Sequence, residues 1–298
     1  MTAAPRLIIS DIDGTFITST GRVTQRLRGA IVRAVESGVN FGLATGRPHR
    51  WLLPVLEQLP LAPVCVCANG AVVYDPADDR VLHAFELAPA AMAEVVEVVE
   101  RALDGVPHGY GVERVGSSAL DPEEECFLIT PEYNRDAWDS RFGVAVTADL
   151  ISQPAAKLLV RCASMTSAQM YERIAPAIDA TVAHVTYSMD EGLIEISRPG
   201  VDKAAGARYL AERYGVAAEE TIAFGDMPND LELLRWAGRG VAMANAAPML
   251  HDAADHVTAT DLSERALAFT RFNLLLNADV LGLDRERLED RVRLAAGD

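Results

Sequence analysis

Short, wholly apolar runs alternate along this chain with longer stretches in which apolar residues recur every three or four positions. "RLIIS" (6–10) has the length and composition of a strand buried on both faces. Thr24 then stands as a helix N-cap, "QRLRGAIVRAVES" sets Leu27, Ile31 and Val35 on one helical face, and Gly38 supplies the stop. "VNFGLATGRP" repeats the strand pattern, and Pro48 suits the first turn of a following helix. Pro54, inside "WLLPVLEQL", should kink or interrupt that helix. "VCVCANGAVVYD" predicts a hairpin about Asn69 and Gly70. The β-α-β alternation predicts an α/β fold, with a parallel sheet covered by helices on both faces.

The texture changes near residue 85. "PAAMAEVVEVVERAL" predicts a helix with Val95, Val98 and Val99 inward. Short strand patterns follow in "GYGVERV", "ECFLIT", "AAKLLVRCA", "TVAHVTYSM" and "LIEISR", with a second helix in "AQMYERIAPAIDA". This clustering predicts a separate α+β module, in which the acidic run "DPEEE" (121–125) reads as a solvated loop. From residue 199 the first texture returns. "DKAAGARYLAERYG" aligns Ala207, Leu210, Ala211 and Tyr214 on one helical face, and "TIAF", "GVAMANA" and "DHVTA" read as further strands. The tail reads as helical, with Phe272, Leu275 and Leu276 available to pack on the core or a partner. The expected organisation is a core in two parts, 1–84 and 199–298, with an inserted module over 85–198.

The polar residues matter most where strands end. In open α/β sheets, ligands bind beyond the carboxyl ends of the strands. Three polar clusters follow such runs: Asp11 and Asp13; Thr45, Gly46 and Arg47; and Asp226, Asn229 and Asp230. Asp11 and Asp13 flank Ile12, so an extended chain aims both to one side. Asp226 and Asp230 are one helical turn apart. Carboxylates converging from separate strands repel one another unless a hard cation such as Mg²⁺ sits among them. Lys203 opens a helix, where an anionic ligand shared with the helix end would favour its charge. Thr45, with the backbone N–H groups of Gly46 and Arg47, supplies further phosphate donors.

Composition narrows the partners. The chain has 43 acidic and 27 basic residues and a formal charge of −16. That disfavours nucleic acid and anionic membranes, yet leaves room for a small anionic substrate beside a bound cation. Cys65, Cys67, Cys126 and Cys162 form no CxxC pair and read as small core residues. No run of about 20 apolar residues and no leader pattern is present, so a soluble, cytoplasmic protein, monomer or homodimer, is expected.

The segments "DIDGT", "ATGRP", "GVDKAAG" and "FGDMPND", in that order, resemble the four motifs of the haloacid dehalogenase-like (HAD) hydrolases. The insert between the second and third resembles the C2-type cap of the Cof-type, subfamily IIB phosphatases, as do "CANGAVVYD" and "GVAMANA". The likeness spans residues 7 to about 260. It implies a Rossmann-like, doubly wound parallel-sheet core with an inserted α+β C2B-type cap. It implies a Mg²⁺-dependent phosphatase of a small phosphorylated metabolite, most often a sugar phosphate. Asp11 would be the nucleophile that forms an aspartyl-phosphate, and Asp13 the general acid and base. Thr45 and Lys203 would hold the phosphoryl group, with Gly46, Arg47 and Asn229 contacting substrate. Asp226 would bind Mg²⁺ with Asp11 and the Asp13 backbone carbonyl, and Asp230 and Asn229 would complete the surrounding ligand set. Arg47, His49, Lys157 and Glu195 stand as specificity contacts. Residues 261–268, "DLSERALA", lack the acidic-Gly segment usual in the subfamily.

Two other readings share these motifs. A phosphotransferase, such as a sugar phosphomutase, would use the same aspartyl-phosphate. A non-catalytic metabolite-binding protein would keep the fold alone.

Overall fold

The apolar run at the N-terminus forms β1 (Leu7–Asp11), and its alternation serves two layers. Leu7 and Ile9 pack among Ala207, Leu210 and Ala211, while Ile8 turns to the opposite side with Ile31 and Phe41. The computed structural model describes residues 5–133, 142–188, 190–261 and 293–296. Helix α1 (Gln25–Glu36) covers the second side, and the Thr24 hydroxyl accepts the Leu27 N–H at 3.2 Å, as its N-cap role predicts. Ile31 is buried on this helix, but Val35, one turn further on, is 40% exposed.

After β2 (Asn40–Ala44), Pro54 lies in the first turn of the four-residue α2 (Leu53–Leu56). It therefore starts a short helix, after a single turn over His49–Trp51, rather than kinking a long one. The strands β3 (Cys65–Cys67), β4 (Val72–Asp75) and β5 (Arg80–Ala84) follow, and β3 and β4 form the expected hairpin.

The chain then builds a second sheet. Its elements are α3 (Pro89–Ala102), β6 (Gly109–Glu113), α4 (Glu123–Cys126), β7 (Phe127–Ile129), β8 (Gly143–Val144), α5 (Thr147–Leu150), β9 (Lys157–Arg161), α6 (Ser167–Ile174), β10 (His184–Thr186) and β11 (Leu193–Ser197). The order is β10-β11-β9-β6-β7-β8, antiparallel except for β7 with β8. Met92, Val95 and Val99 of α3 and Met170 and Ile174 of α6 pack on one face of it. The acidic run 121–125 is more than a solvated loop. Glu123 begins α4 and its Oε1 accepts the Trp51 indole N–H at 2.7 Å, while Asp121 Oδ2 accepts the N–H groups of Ser117 and Ser118.

The first sheet resumes with α7 (Lys203–Tyr214), β12 (Thr221–Gly225), α8 (Leu231–Trp236), β13 (Arg239–Met243), α9 (Pro248–Ala253), β14 (His256–Asp261) and β15 (Arg293–Ala296). Its order is β15-β14-β13-β12-β1-β2-β3-β4-β5, parallel from β15 to β3. The expected helical tail is corrected at its end, where β15 adds a parallel strand beside β14. Phe272, Leu275, Leu276 and residues 262–268 lie outside the described residues. The fold is α/β: a doubly wound, Rossmann-like core with a second, α+β sheet. Among the described residues, no helix is long and apolar enough to cross a membrane, and the four cysteines are buried and unbridged.

Candidate active site

The strand order makes β1 the switch point, with β2 on one side and β12 on the other. The chain leaves β1 towards β2 and returns through β12, so the carboxyl ends of the three strands open at one edge. Asp11 ends β1, Thr45 follows β2 and Asp226 follows β12. Lys203 arrives on the first turn of α7, whose N-cap Asp202 accepts the Ala205 N–H.

These residues meet. The Lys203 ammonium donates to Asp11 Oδ1 at 2.5 Å and to Asp230 Oδ1 at 2.6 Å, and is itself 1% exposed. Asp230 Oδ2 accepts the backbone N–H groups of Asp226 and Met227, each at 3.0 Å, which fixes the turn after β12. Asp226 Oδ1 accepts from the Thr15 hydroxyl at 2.9 Å, and its Oδ2 from the Asn245 amide at 2.8 Å. Gly14 has φ +82°, and a Cβ there would stand 2.2 Å from Asp226 Oδ2. A side chain at 14 would therefore push the β1 loop off Asp226.

The charges do not balance. Asp11, Asp226 and Asp230 offer carboxylate oxygens within 4.8 Å of one another, all buried, against a single ammonium. Burial drives the Asp11 carboxyl well above its usual range, although Lys203 opposes the shift. Burial likewise raises Asp226 to about 6, with Thr15 holding it down and Asp230 pushing it up. Burial disfavours the Lys203 charge, but Asp11 and Asp230 outweigh it and raise its pKa. Asp11 Oδ2 is buried without a hydrogen-bond partner. An orphaned carboxylate oxygen beside two further acids fits a hard divalent cation, which would offset the excess negative charge.

Asp13 takes another position. Its carboxylate lies outside that triad and is gripped by Arg47, Nε to Oδ2 at 2.8 Å and Nη2 to Oδ1 at 2.5 Å. A ligand role for the Asp13 side chain is therefore not what this geometry offers. Thr45 is fully buried, and its hydroxyl accepts the Arg47 N–H at 3.1 Å. Asn229 donates to Asn69 Oδ1 at 3.0 Å, and its own Oδ1 is buried and unpartnered.

The second sheet closes over this edge. The buried Lys157 ammonium donates to the Gly46 carbonyl at 2.8 Å and to Glu195 Oε2 at 3.0 Å, and lies 3.3 Å from Glu113. Burial works against the Lys157 charge, but Glu113 and Glu195 outweigh it and raise its pKa. Asn69 donates to the same Glu195 oxygen at 2.5 Å, so an unbroken polar chain runs from Lys157 through Asn69 to Asn229. His49 stands apart from the acids. Its Nε2 meets the Ser118 carbonyl at 3.3 Å, its ring lies 4.9 Å from that of Tyr74, and burial lowers its pKa.

Sequence reasoning named Lys157 and Glu195 but missed Glu113, Asn69, Thr15 and Asn245. Glu113 carries a signal in hindsight, as an acid on the face of β6 opposite the apolar Tyr110 and Val112. Asn69 has another: it holds φ 55°, a left-handed conformation that asparagine tolerates better than most residues.

The sequence profile of the haloacid dehalogenase-like hydrolases matches residues 8–268. The chain is 27% identical over 274 residues to a 5-amino-6-(5-phospho-D-ribitylamino)uracil phosphatase of Bacillus subtilis, covering 91% of this chain and 98% of that one. It is 25% identical over 281 residues to a pyridoxal phosphate phosphatase of Escherichia coli, covering 91% and 99%. A HAD phosphatase of Bacteroides thetaiotaomicron has a similar fold, with a TM-score of 0.69 at 22% identity, over 86% of this chain and 90% of that one. The chain belongs to the haloacid dehalogenase-like hydrolase family, as an enzyme of its phosphatase kind.

Proposed function

We propose that the chain hydrolyses the phosphate monoester of a small metabolite, with Mg²⁺ and through an aspartyl-phosphate on Asp11. The observation that carries this reading is the Lys203 bridge between Asp11 and Asp230, with Asp11 Oδ2 left free beside Asp226. Asp11 and Asp226 would hold the cation with the Asp13 backbone carbonyl, while Asp230 holds Lys203 and the turn after β12. When bound, the cation supplies charge neutralisation for the phosphoryl oxygens.

The chain's own groups do the rest. One Asp11 carboxylate oxygen attacks phosphorus while the other would face the cation; the Asp11–phosphorus bond forms and the ester bond breaks. Asp13 protonates the departing alkoxide, then takes a proton from the water that cleaves the acyl phosphate. Lys203, Thr45 and the N–H groups after β2 hold the negative oxygens, since a loose phosphoryl group needs positioning and charge more than nucleophilic strength. The second sheet acts as a cap that excludes water, with Lys157 seated on the Gly46 carbonyl when closed. Relatives named for a ribitylaminouracil phosphate and for pyridoxal phosphate support a small phosphorylated metabolite as substrate.

The test is phosphate release from a panel of monophosphate esters with Mg²⁺, in the absence of any activating bisphosphate. Turnover by the native chain, lost in Asp11→Asn, supports the hydrolase. Transfer to a second sugar without phosphate release would replace it with a phosphotransferase.

A further inference from the structure

Between β6 and α4 the chain leaves the six-stranded sheet and plants a foot on the first layer. Val115 and Ala119 pack into the apolar cluster that holds Leu52, Val55 and Tyr74. Ser118 is held from two sides: its hydroxyl donates to Asp79 Oδ2 at 2.5 Å, and its carbonyl meets His49 Nε2 at 3.3 Å. Asp79 Oδ1 accepts the Ala119 N–H at 2.8 Å and the Tyr74 hydroxyl at 2.6 Å. Ser118, Tyr74 and Ala119 together hold the Asp79 carboxyl below its usual range. Asp79 lies in the turn between β4 and β5 with a left-handed φ of 45°. At the edge of the foot, the Trp51 indole donates to Glu123 Oε1 at 2.7 Å. None of these partners lies on the chain crossings near residues 85 and 200, so the foot is a separate, non-covalent attachment.

One group in this junction opposes it. Arg50 stands between His49 and Trp51 and is 8% exposed. Its Nε, Nη1 and Nη2 are all buried without a hydrogen-bond partner among the described residues. The guanidinium is close enough to Cys126, on the other side of the junction, to act on that thiol. The Trp51 ring, centred 5.8 Å from the guanidinium carbon, offers it an aromatic face but no acceptor. Burying a guanidinium without acceptors costs free energy that water returns when the two layers part. Hydrogen bonds to a carboxylate favour the joined state and an unsatisfied cation favours the parted one, which is the balance a two-state element needs.

We propose that Asp79 and Ser118 form a latch that keeps the six-stranded sheet closed over the Asp11 site in the ligand-free chain, and that buried Arg50 is the counter-force that lets it part. The inference rests on the phosphatase reading only for what passes the latch, a phosphate ester and its products. The latch itself needs no turnover.

The test places spin labels on the intact chain through Met249→Cys in the first layer and Val146→Cys in the second. Both positions are exposed, and the four native cysteines are buried. Pulsed electron resonance then reads the separation of the layers. The native chain is expected to show a major short separation and a minor longer one. Asp79→Asn, which tolerates the left-handed turn, and Ser118→Ala should each raise the longer population by about fivefold or more. Arg50→Met should lower it by a similar factor and leave the thermal midpoint unchanged or raised. In an Asp11→Asn background, stopped-flow quenching of tryptophan by p-nitrophenyl phosphate should quicken with Asp79→Asn and slow with Arg50→Met, because only the parted chain admits an ester.

One separation, unchanged in all three variants, would overturn the proposal, since the junction would then be permanent. A shift of the same sign in Arg50→Met and Asp79→Asn would also overturn it, because Arg50 would then support the closed state. A midpoint lowered by many degrees in Arg50→Met would show the same. Ester association that ignores both substitutions would do so too. If no ester binds or is turned over, the phosphatase reading fails, and the separations alone decide the latch.

Discussion

Arg47 holds Asp13 through a two-pronged contact, with its Nε and Nη2 each on a different carboxylate oxygen. The pair is half open to solvent, with the two side chains 30% and 53% exposed. Exposed pairs of this kind contribute about 0.2–1 kcal/mol. Arg47→Ala is therefore expected to shift the unfolding free energy by no more than about 1 kcal/mol. Phosphate release should nevertheless fall by about tenfold or more, because Asp13 loses its orientation for proton transfer. Urea unfolding beside steady-state kinetics checks this; a large stability loss would make the contact structural.

Asp11→Asn removes the attacking oxygen and one of the crowded charges. Turnover should drop by at least about 10³-fold, in keeping with loss of an activated nucleophile. The fold should persist, because Lys203 keeps Asp230 as partner. Phosphate release and thermal unfolding, measured on the same preparation, test both halves.

Cation binding should depend on pH through Asp226. Burial raises this carboxyl from 3.8 to about 6 in the cation-free fold. The folded chain thus binds the proton more tightly than the unfolded chain, and this group's contribution to cation-free stability falls as pH rises from about 4 to about 6. A cation competes with that proton, so its affinity rises over the same window. Mg²⁺ should raise the thermal midpoint clearly near pH 7.5 and little near pH 5. A midpoint increment independent of pH would contradict it.

Lys157 is the counter-charge for two buried acids. Lys157→Met leaves Glu113 and Glu195 facing each other without it and should cost about 3–5 kcal/mol. Adding Glu113→Gln and Glu195→Gln should restore part of that loss. Denaturant unfolding of the single and combined variants measures the coupling.

The strand ends were legible because they combine local signals: an apolar run, then polar residues with turn chemistry. Asp11, Thr45, Asp226 and Lys203 could be singled out that way, and the structure brings them to one edge. The pairing of Lys157 with Glu113 was not legible. It depends on the register of β6 against β9, set by residues 44 positions apart, and alternation alone does not choose a partner strand. Asp13 illustrates a second limit. Its spacing from Asp11 aims both carboxylates to one side of an extended chain, but the chain turns at Gly14, and Arg47 takes the second acid. Glu123 reads as a solvated charge until the indole of Trp51, far away in sequence, is brought against it. Pro54 could be read either as a kink or as a start, and only the brevity of α2 decides between them.

The chain leaves the six-stranded sheet at Ser197 and reaches Lys203 after five residues. So short a tether spans at most roughly 20 Å when fully stretched. The upper layer is therefore tied directly to the turn of helix that carries the ammonium, and its distance from that turn is bounded by the length of the tether.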